Sequence, residues 1–151
     1  MHPYVVERER TVAKGRATPA SAKETLSIDV VRRAFEAFEA ADAVGLRKIL
    51  APNVRYRVAP AGRFTGDYRG VPAVLEFFAQ IARESEGTFR ARPVEMAATD
   101  DRIFVLYKVS GRRGAKSLES ADVGVFTVAG GVVTEATFYQ SDYPAHAAFW
   151  S

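Results

Sequence analysis

Few residues of this 151-residue chain are equipped for chemistry. Asp122 stands in the run Ala121-Asp-Val-Gly-Val-Phe126, and on a strand alternate residues face the same side. Taking Asp122, Gly124 and Phe126 as the inward set places a carboxylate on the buried face. The glycine beside it leaves space where a side chain could have been. Burial penalises the charged form and would raise the carboxyl's pKa, which suits a general acid or base. Tyr56, within Val54-Arg-Tyr-Arg-Val58, and Tyr107, within Ile103-Phe-Val-Leu-Tyr107, are expected to point the same way. A phenol there can hold a carbonyl or enolate oxygen. Asp122, Tyr56 and Tyr107 are therefore the candidate catalytic residues. The structural alternative is a carboxylate paired with an arginine and core aromatics with satisfied hydroxyls.

Candidate ligand contacts follow from the same parity. Phe78, Phe126 and Phe138 read as pocket wall, and Gln140 as a hydrogen-bonding group at the end of the last strand. Tyr68, in Gly66-Asp-Tyr-Arg-Gly70, is expected at the pocket mouth, although two glycines and an aspartate also suit a bent edge. Arg90 and Arg92 share one strand face. Inward they would select an anion, outward they are surface charges; Pro93 marks a bulge there, and the surface is favoured.

Composition removes several chemistries. There is no cysteine, hence no disulfide, thiolate nucleophile or cysteine-based zinc site. The two histidines, His2 and His146, lie near the chain ends, which leaves little for a histidine-dependent metal site or a Ser-His-Asp triad. No metal and no cofactor are expected. A formal net charge of +3 is too mild to argue for nucleic acid. No apolar run approaches the roughly 18–20 residues that span a bilayer. The first residues lack the apolar core of a secretory signal, so a cytoplasmic location is expected.

The positioning elements are legible from periodicity. Residues 1–25 show no sustained period and read as a polar arm, with the domain over 26–151. Ser27 reads as an N-cap for a helix carrying Ile28, Val31, Ala34, Phe35 and Phe38 on one stripe. Asp42 caps a second helix to Leu50, which Pro52 stops. Strands follow at Asn53–Val58 and along an edge segment to Arg69. A third helix begins near Pro72 and ends at Gly87. Thr88–Ala98, Arg102–Arg112, Lys116–Val128 and Val132–Gln140 then read as a strand meander. Arg102–Val109, apolar on both faces, reads as a central strand. Ala129-Gly130-Gly131 turns a long hairpin. On its second strand Val132, Thr134, Ala136 and Phe138 are taken as inward. Helices first and strands after give an α+β fold.

From about Leu26 to Trp150 the chain resembles the nuclear transport factor 2-like superfamily, and within it the SnoaL-like group. The opening helix, the Phe64-Thr-Gly-Asp-Tyr-Arg-Gly70 edge before a Phe-Phe helix, the Val125-Phe-Thr-Val-x-Gly-Gly-Val-Val core and the terminal Phe138-Tyr-x-x-Asp142 and Phe149-Trp150 carry the resemblance. It implies a cone of three N-terminal helices packed on a curved antiparallel sheet around a pocket, and a homodimer. It also implies catalytic places. SnoaL-like polyketide cyclases set an aspartate base on the last strand against a histidine on the strand before; Phe138 and Gly124 stand there. Limonene-type epoxide hydrolases use that same last-strand place with an Arg-x-Asp pair, which the Lys108 region lacks. Ketosteroid isomerase-like members place the base before a Pro-x-Gly turn, where Ala59 stands. The expected function is thus binding of a small apolar organic ligand, as a cofactor-independent cyclase or isomerase of polyketide-, terpenoid- or steroid-like chemistry that lacks the usual Asp/His pair. The alternative is a non-catalytic ligand-binding or dimerisation module.

Overall fold

The computed structural model describes residues 20–59 and 62–151, so the expected polar arm lies mostly outside the described residues. Its last few positions are already helical. Helix α1 (Ala22–Glu39) starts at Ser21, not Ser27. The reason is a capping box: Ser21 Oγ accepts from Glu24 N at 3.1 Å, and the Glu24 carboxylate accepts from Ser21 N at 3.2 Å. Ser27 has valine three residues on and can build no such box. Asp42 caps α2 (Ala43–Ile49) as expected, accepting from Gly45 N. Strand β1 (Leu50–Val58) begins before Pro52, so the proline lies within the strand, where the pairing with its neighbour is irregular.

Strands β2 (Gly66–Arg69), β3 (Arg90–Ala98), β4 (Arg102–Arg113), β5 (Lys116–Ala129) and β6 (Val132–Tyr139) complete one sheet in the order β2-β1-β6-β5-β4-β3. The fold is α+β, but the sheet is mixed, not antiparallel throughout. The meander returns β6 alongside β1 in the same direction, and those two pair in parallel. Helix α3 (Val71–Glu84) follows β2 and buries Val74, Phe77 and Ile81. A fourth helix, α4 (Tyr143–Trp150), follows the last strand and was absent from the expected set. Asp142 caps it, accepting from Ala145 N at 3.0 Å. Eight residues are too few to show a helical period against background. Among the described residues no helix is long and apolar enough to cross a membrane.

Parity decides which side chains meet the helices. On β5 the expected inward set holds: Asp122, Gly124, Phe126 and Val128 are buried and their neighbours are not. On β6 it holds only in part. The pairing slips between Thr127 and Val128, so the buried residues are Val133 and Ala136, with Phe138 half-buried. A bulge inserts one residue and shifts the face. Strand β4 is second from the edge, not central. Ile103, Val105, Tyr107 and Val109 are buried, while Phe104 and Leu106 are exposed. Its two-sided apolar pattern marks an apolar outer surface. The bulge expected near Pro93 is present. Arg90 pairs with Glu39 at 3.6 Å and Arg92 is exposed; both lie outside the core.

Gly124 has a specific use. A Cβ there would lie 2.9 Å from Phe126 Cε1 and 3.4 Å from the Phe138 ring. The space expected to be empty is therefore filled by two phenylalanines. Gly124→Ala must displace packed rings, which costs about 1–3 kcal/mol. The expected outcome is a thermal midpoint lower by several degrees, measured by calorimetry; an unchanged midpoint would show that the rings yield freely.

Candidate active site: an aspartate and a histidine buried together

Asp122 is 1% exposed and His146 is 3% exposed. Asp122 comes from the middle of β5, and His146 from α4, laid across the inner face of the sheet. Their facing atoms, Asp122 Oδ2 and His146 Nε2, are 2.9 Å apart. The approach is off the line of a well-formed hydrogen bond, so the contact is electrostatic in the first place. The other carboxylate oxygen is fully engaged. Oδ1 accepts from Ser120 Oγ at 2.6 Å and from Ser141 N at 3.0 Å, with Ser141 Oγ at 3.5 Å. Ser141 immediately precedes the cap of α4, so the strand carboxylate also grips the start of the helix.

Burial pushes the Asp122 carboxyl up, but the close approach of His146 and the hydrogen bonds from Ser120 and the Ser141 N–H outweigh it and leave the group below the ordinary carboxylate range. This corrects the expectation from sequence. Asp122 stays ionised, and its character is that of a fixed anion that orients an imidazole. Nε2, the ring nitrogen of His146 that faces Asp122, is buried and makes no well-formed hydrogen bond among the described residues.

The pair lines an aromatic cavity of about 110 Å³. Tyr107 is the direct cross-strand neighbour of Asp122. Tyr107 and Tyr56 are buried, and burial raises both phenols well above their ordinary value, with the charge of Asp122 adding to the effect at Tyr107. Both are therefore protonated donors at any working pH. Neither hydroxyl makes a hydrogen bond to another described residue, and Gln140 Oε1 is buried without a partner. The Phe138 ring stands 5.3 Å from Tyr56, 6.2 Å from Tyr107 and 5.6 Å from Phe126. Phe78, Phe126, Phe138 and Gln140 all line the cavity. Tyr68 does not: it stacks on Phe77 at 4.3 Å and donates to Phe64 O at 2.9 Å, which makes it part of the frame. No lysine or arginine is among the lining residues.

His146 is the site residue that sequence reasoning missed. Nearness to the chain end argued against it, yet Asp142, His146 and Phe149-Trp150 stand at helical spacing behind a cap. The spacing covers too few residues to stand out from background, so the sequence carries no sufficient signal for it.

A cone of helices on a curved mixed sheet, with an aromatic cavity inside, is the fold that NTF2-like structures share. The structure of Bal32a from a soil-derived mobile gene cassette superposes with a TM-score of 0.82 at 26% identity, over 85% of this chain and 99% of that one. An NTF2-like protein from Burkholderia xenovorans LB400 superposes with a TM-score of 0.74 at 23% identity, over 87% and 100%. A sequence profile of the SnoaL-like domain matches residues 31–136, and the chain belongs to that family. The uncharacterized protein Rv0034 of Mycobacterium tuberculosis is 30% identical over 125 residues, 82% of this chain and 95% of its own length. The profile match ends before Gln140 and His146.

A carboxyl held low in the folded state binds fewer protons there than in the unfolded chain. The stability it contributes is complete above about pH 4, the ordinary aspartate value, and is lost as the pH falls through the folded value. Asp122→Asn is therefore expected to be less stable than the native protein by about 1–3 kcal/mol near neutrality. The gap should narrow below about pH 4. Urea unfolding across that range checks it; a gap that stays constant would show that Asp122 is not held low.

Proposed function

We propose that the protein binds a neutral, ring-sized carbonyl compound and moves a proton at the carbon beside the carbonyl, as an isomerase or cyclase that needs no cofactor. The observation that carries this reading is the buried Asp122–His146 pair, 2.9 Å apart at the wall of an apolar cavity. The ring nitrogen of His146 that does not face Asp122, Nδ1, takes the proton from carbon. Asp122 stabilises the imidazolium that forms and fixes which nitrogen is free. The electron pair left on carbon moves into a C=C bond and the carbonyl becomes an enolate. Tyr56 and Tyr107, neutral donors in a dry site, hold its oxygen. The proton then returns at a different carbon, or the enolate carbon attacks a second carbonyl carbon of the same molecule, whose C=O π pair moves onto oxygen and takes the proton back from His146 as the ring closes.

The cavity also sets the size and charge of the ligand. Its volume, about 110 Å³, is of the order of the ~150 Å³ engineered apolar cavity that admits benzene, which favours a single-ring ligand over a polycyclic one. With no cation in the lining and an ionised aspartate, an anionic group is disfavoured. The second reading, a binding module without catalysis, is favoured by the phenylalanines that fill most of the cone. The two readings separate on proton exchange. With cyclohexanone and 2-cyclohexenone in D2O, NMR should show protein-dependent deuteration beside the carbonyl. His146→Ala should slow it by about 100-fold or more, and Tyr107→Phe by about tenfold or more. Binding of the ketones with no exchange would leave the module reading and overturn the enzyme.

The outer face of the sheet supports a second copy as partner. Leu106, Val123 and Tyr139 are successive cross-strand neighbours and are all exposed, beside exposed Phe104. Such a row on a sheet face is an interaction surface. Glu135 on β6 pairs with Arg57 at 2.8 Å. Light scattering should give the mass of a dimer, and Leu106→Glu that of a monomer; a native monomer would contradict the pairing.

A further inference from the structure

Helix α4 carries His146, yet at eight residues, about 12 Å, it is too short to hold itself in water. Its seat is therefore part of the site. Two glycines shape that seat. A Cβ on Gly111 of β4 would come 3.2 Å from Phe149 Cζ, and one on Gly62, at φ +80°, would come 3.2 Å from Ala147 Cα. Phe149 and Trp150 fill the space so made and pack on each other at 4.6 Å. These contacts let the helix approach, but apolar contact alone leaves it free to slide along the sheet.

The inner face of β4 continues from Tyr107 through Val109 and Gly111 to Arg113. Arg113 reaches the last turn of α4. One of its terminal nitrogens donates to Phe149 O at 3.2 Å and to Ser151 O, and the other donates to Glu84 Oε2 at 3.0 Å. Glu84 closes α3, and Arg63 holds the same carboxylate oxygen at 3.2 Å. The last carbonyls of a helix have no partner within it, and a cation there also meets the negative end of its dipole. Arg113 answers both needs, and its planar fork does so in one orientation. Lys116 adds bonds to Ser151 O and Oγ, both 2.8 Å, from the far side of the β4–β5 turn. At its other end α4 is held by Ser141 on Asp122.

We propose that Arg113 is a positioning residue for the active site: by tying the last turn of α4 to Glu84 at the end of α3, it sets the helix along the sheet so that the His146 ring meets Asp122. Glu84 is its necessary partner, and Lys116 contributes only at the tip. The proposal rests on the reading of His146 as the proton-transfer group, and it also has a consequence independent of that reading. A seat that fails removes the histidine contact which helps keep the Asp122 carboxyl low.

The test compares Arg113→Met, Arg113→Lys, Glu84→Gln and Lys116→Met in the full chain. Two quantities are read: the ketone deuteration rate, and the titration of the Asp122 carboxyl carbon by 13C NMR. Arg113→Met and Glu84→Gln should lower the turnover rate by about tenfold or more with the ketone's half-saturation little changed, and should move the Asp122 titration upward. Arg113→Lys, which keeps one donor, should restore part of both, and Lys116→Met should move neither. Should Arg113→Met not fold, Glu84→Gln and Arg113→Lys decide. Loss of thermal stability with turnover and Asp122 titration both unmoved would overturn the proposal and leave Arg113 a plain brace. If the native protein exchanges no ketone, the reading of the site fails, while the Asp122 titration still decides whether Arg113 seats the helix.

Discussion

The contact between Asp122 and His146 is the constraint on which the rest depends. Removing a carboxylate and an imidazole from water costs several kcal/mol unless other groups satisfy them. The fold meets that cost locally. Ser120 supplies a hydroxyl at 2.6 Å and Ser141 a backbone N–H at 3.0 Å, and both bind the carboxylate oxygen that does not face the histidine. The arrangement is asymmetric: one oxygen is saturated, the other is given over to the ring. An anion so held is a poor base and a good anchor. In the proposed reaction that asymmetry gives the proton transfer to the histidine and the orientation to the aspartate.

Much of the fold was legible because it rests on local periods. The stripe Val31, Ala34, Phe35 fixes α1, and alternation through Asp122, Gly124 and Phe126 fixes the facing of β5, since nothing interrupts that strand. Legibility ended where one extra residue or a tertiary contact decided the outcome. At Thr134 a bulge exchanges the two faces of β6, and no residue type announces it. The β1–β6 pairing is parallel because of the path of the whole chain. Gly124 looked like vacant space and is instead the place where two rings meet.

The site was half legible for the same reason. A carboxylate on an uninterrupted strand declares its side. A histidine on a helix of eight residues declares nothing until the helix is seated, and the seat is built from Gly62, Glu84, Gly111 and Arg113, which are remote in sequence from His146. Resemblance to the family directed attention to the places now held by Phe138 and Gly124. An Asp–His pair is nevertheless present, with its aspartate two residues before Gly124 on the same strand and face, and its histidine brought in by α4. Phe138 stands in the wall of the cavity beside Tyr56, Tyr107 and Phe126, which makes that wall aromatic.

The most direct measurement is a double-mutant cycle on Asp122 and His146, using Asp122→Asn, His146→Ala and both together, with stability read by urea unfolding near neutral pH. If the two side chains are bound to each other in the core, the second substitution costs much less once the first is made. The account predicts a coupling of about 1–3 kcal/mol. Strictly additive losses would mean that the two groups are neighbours without interaction, and would contradict it.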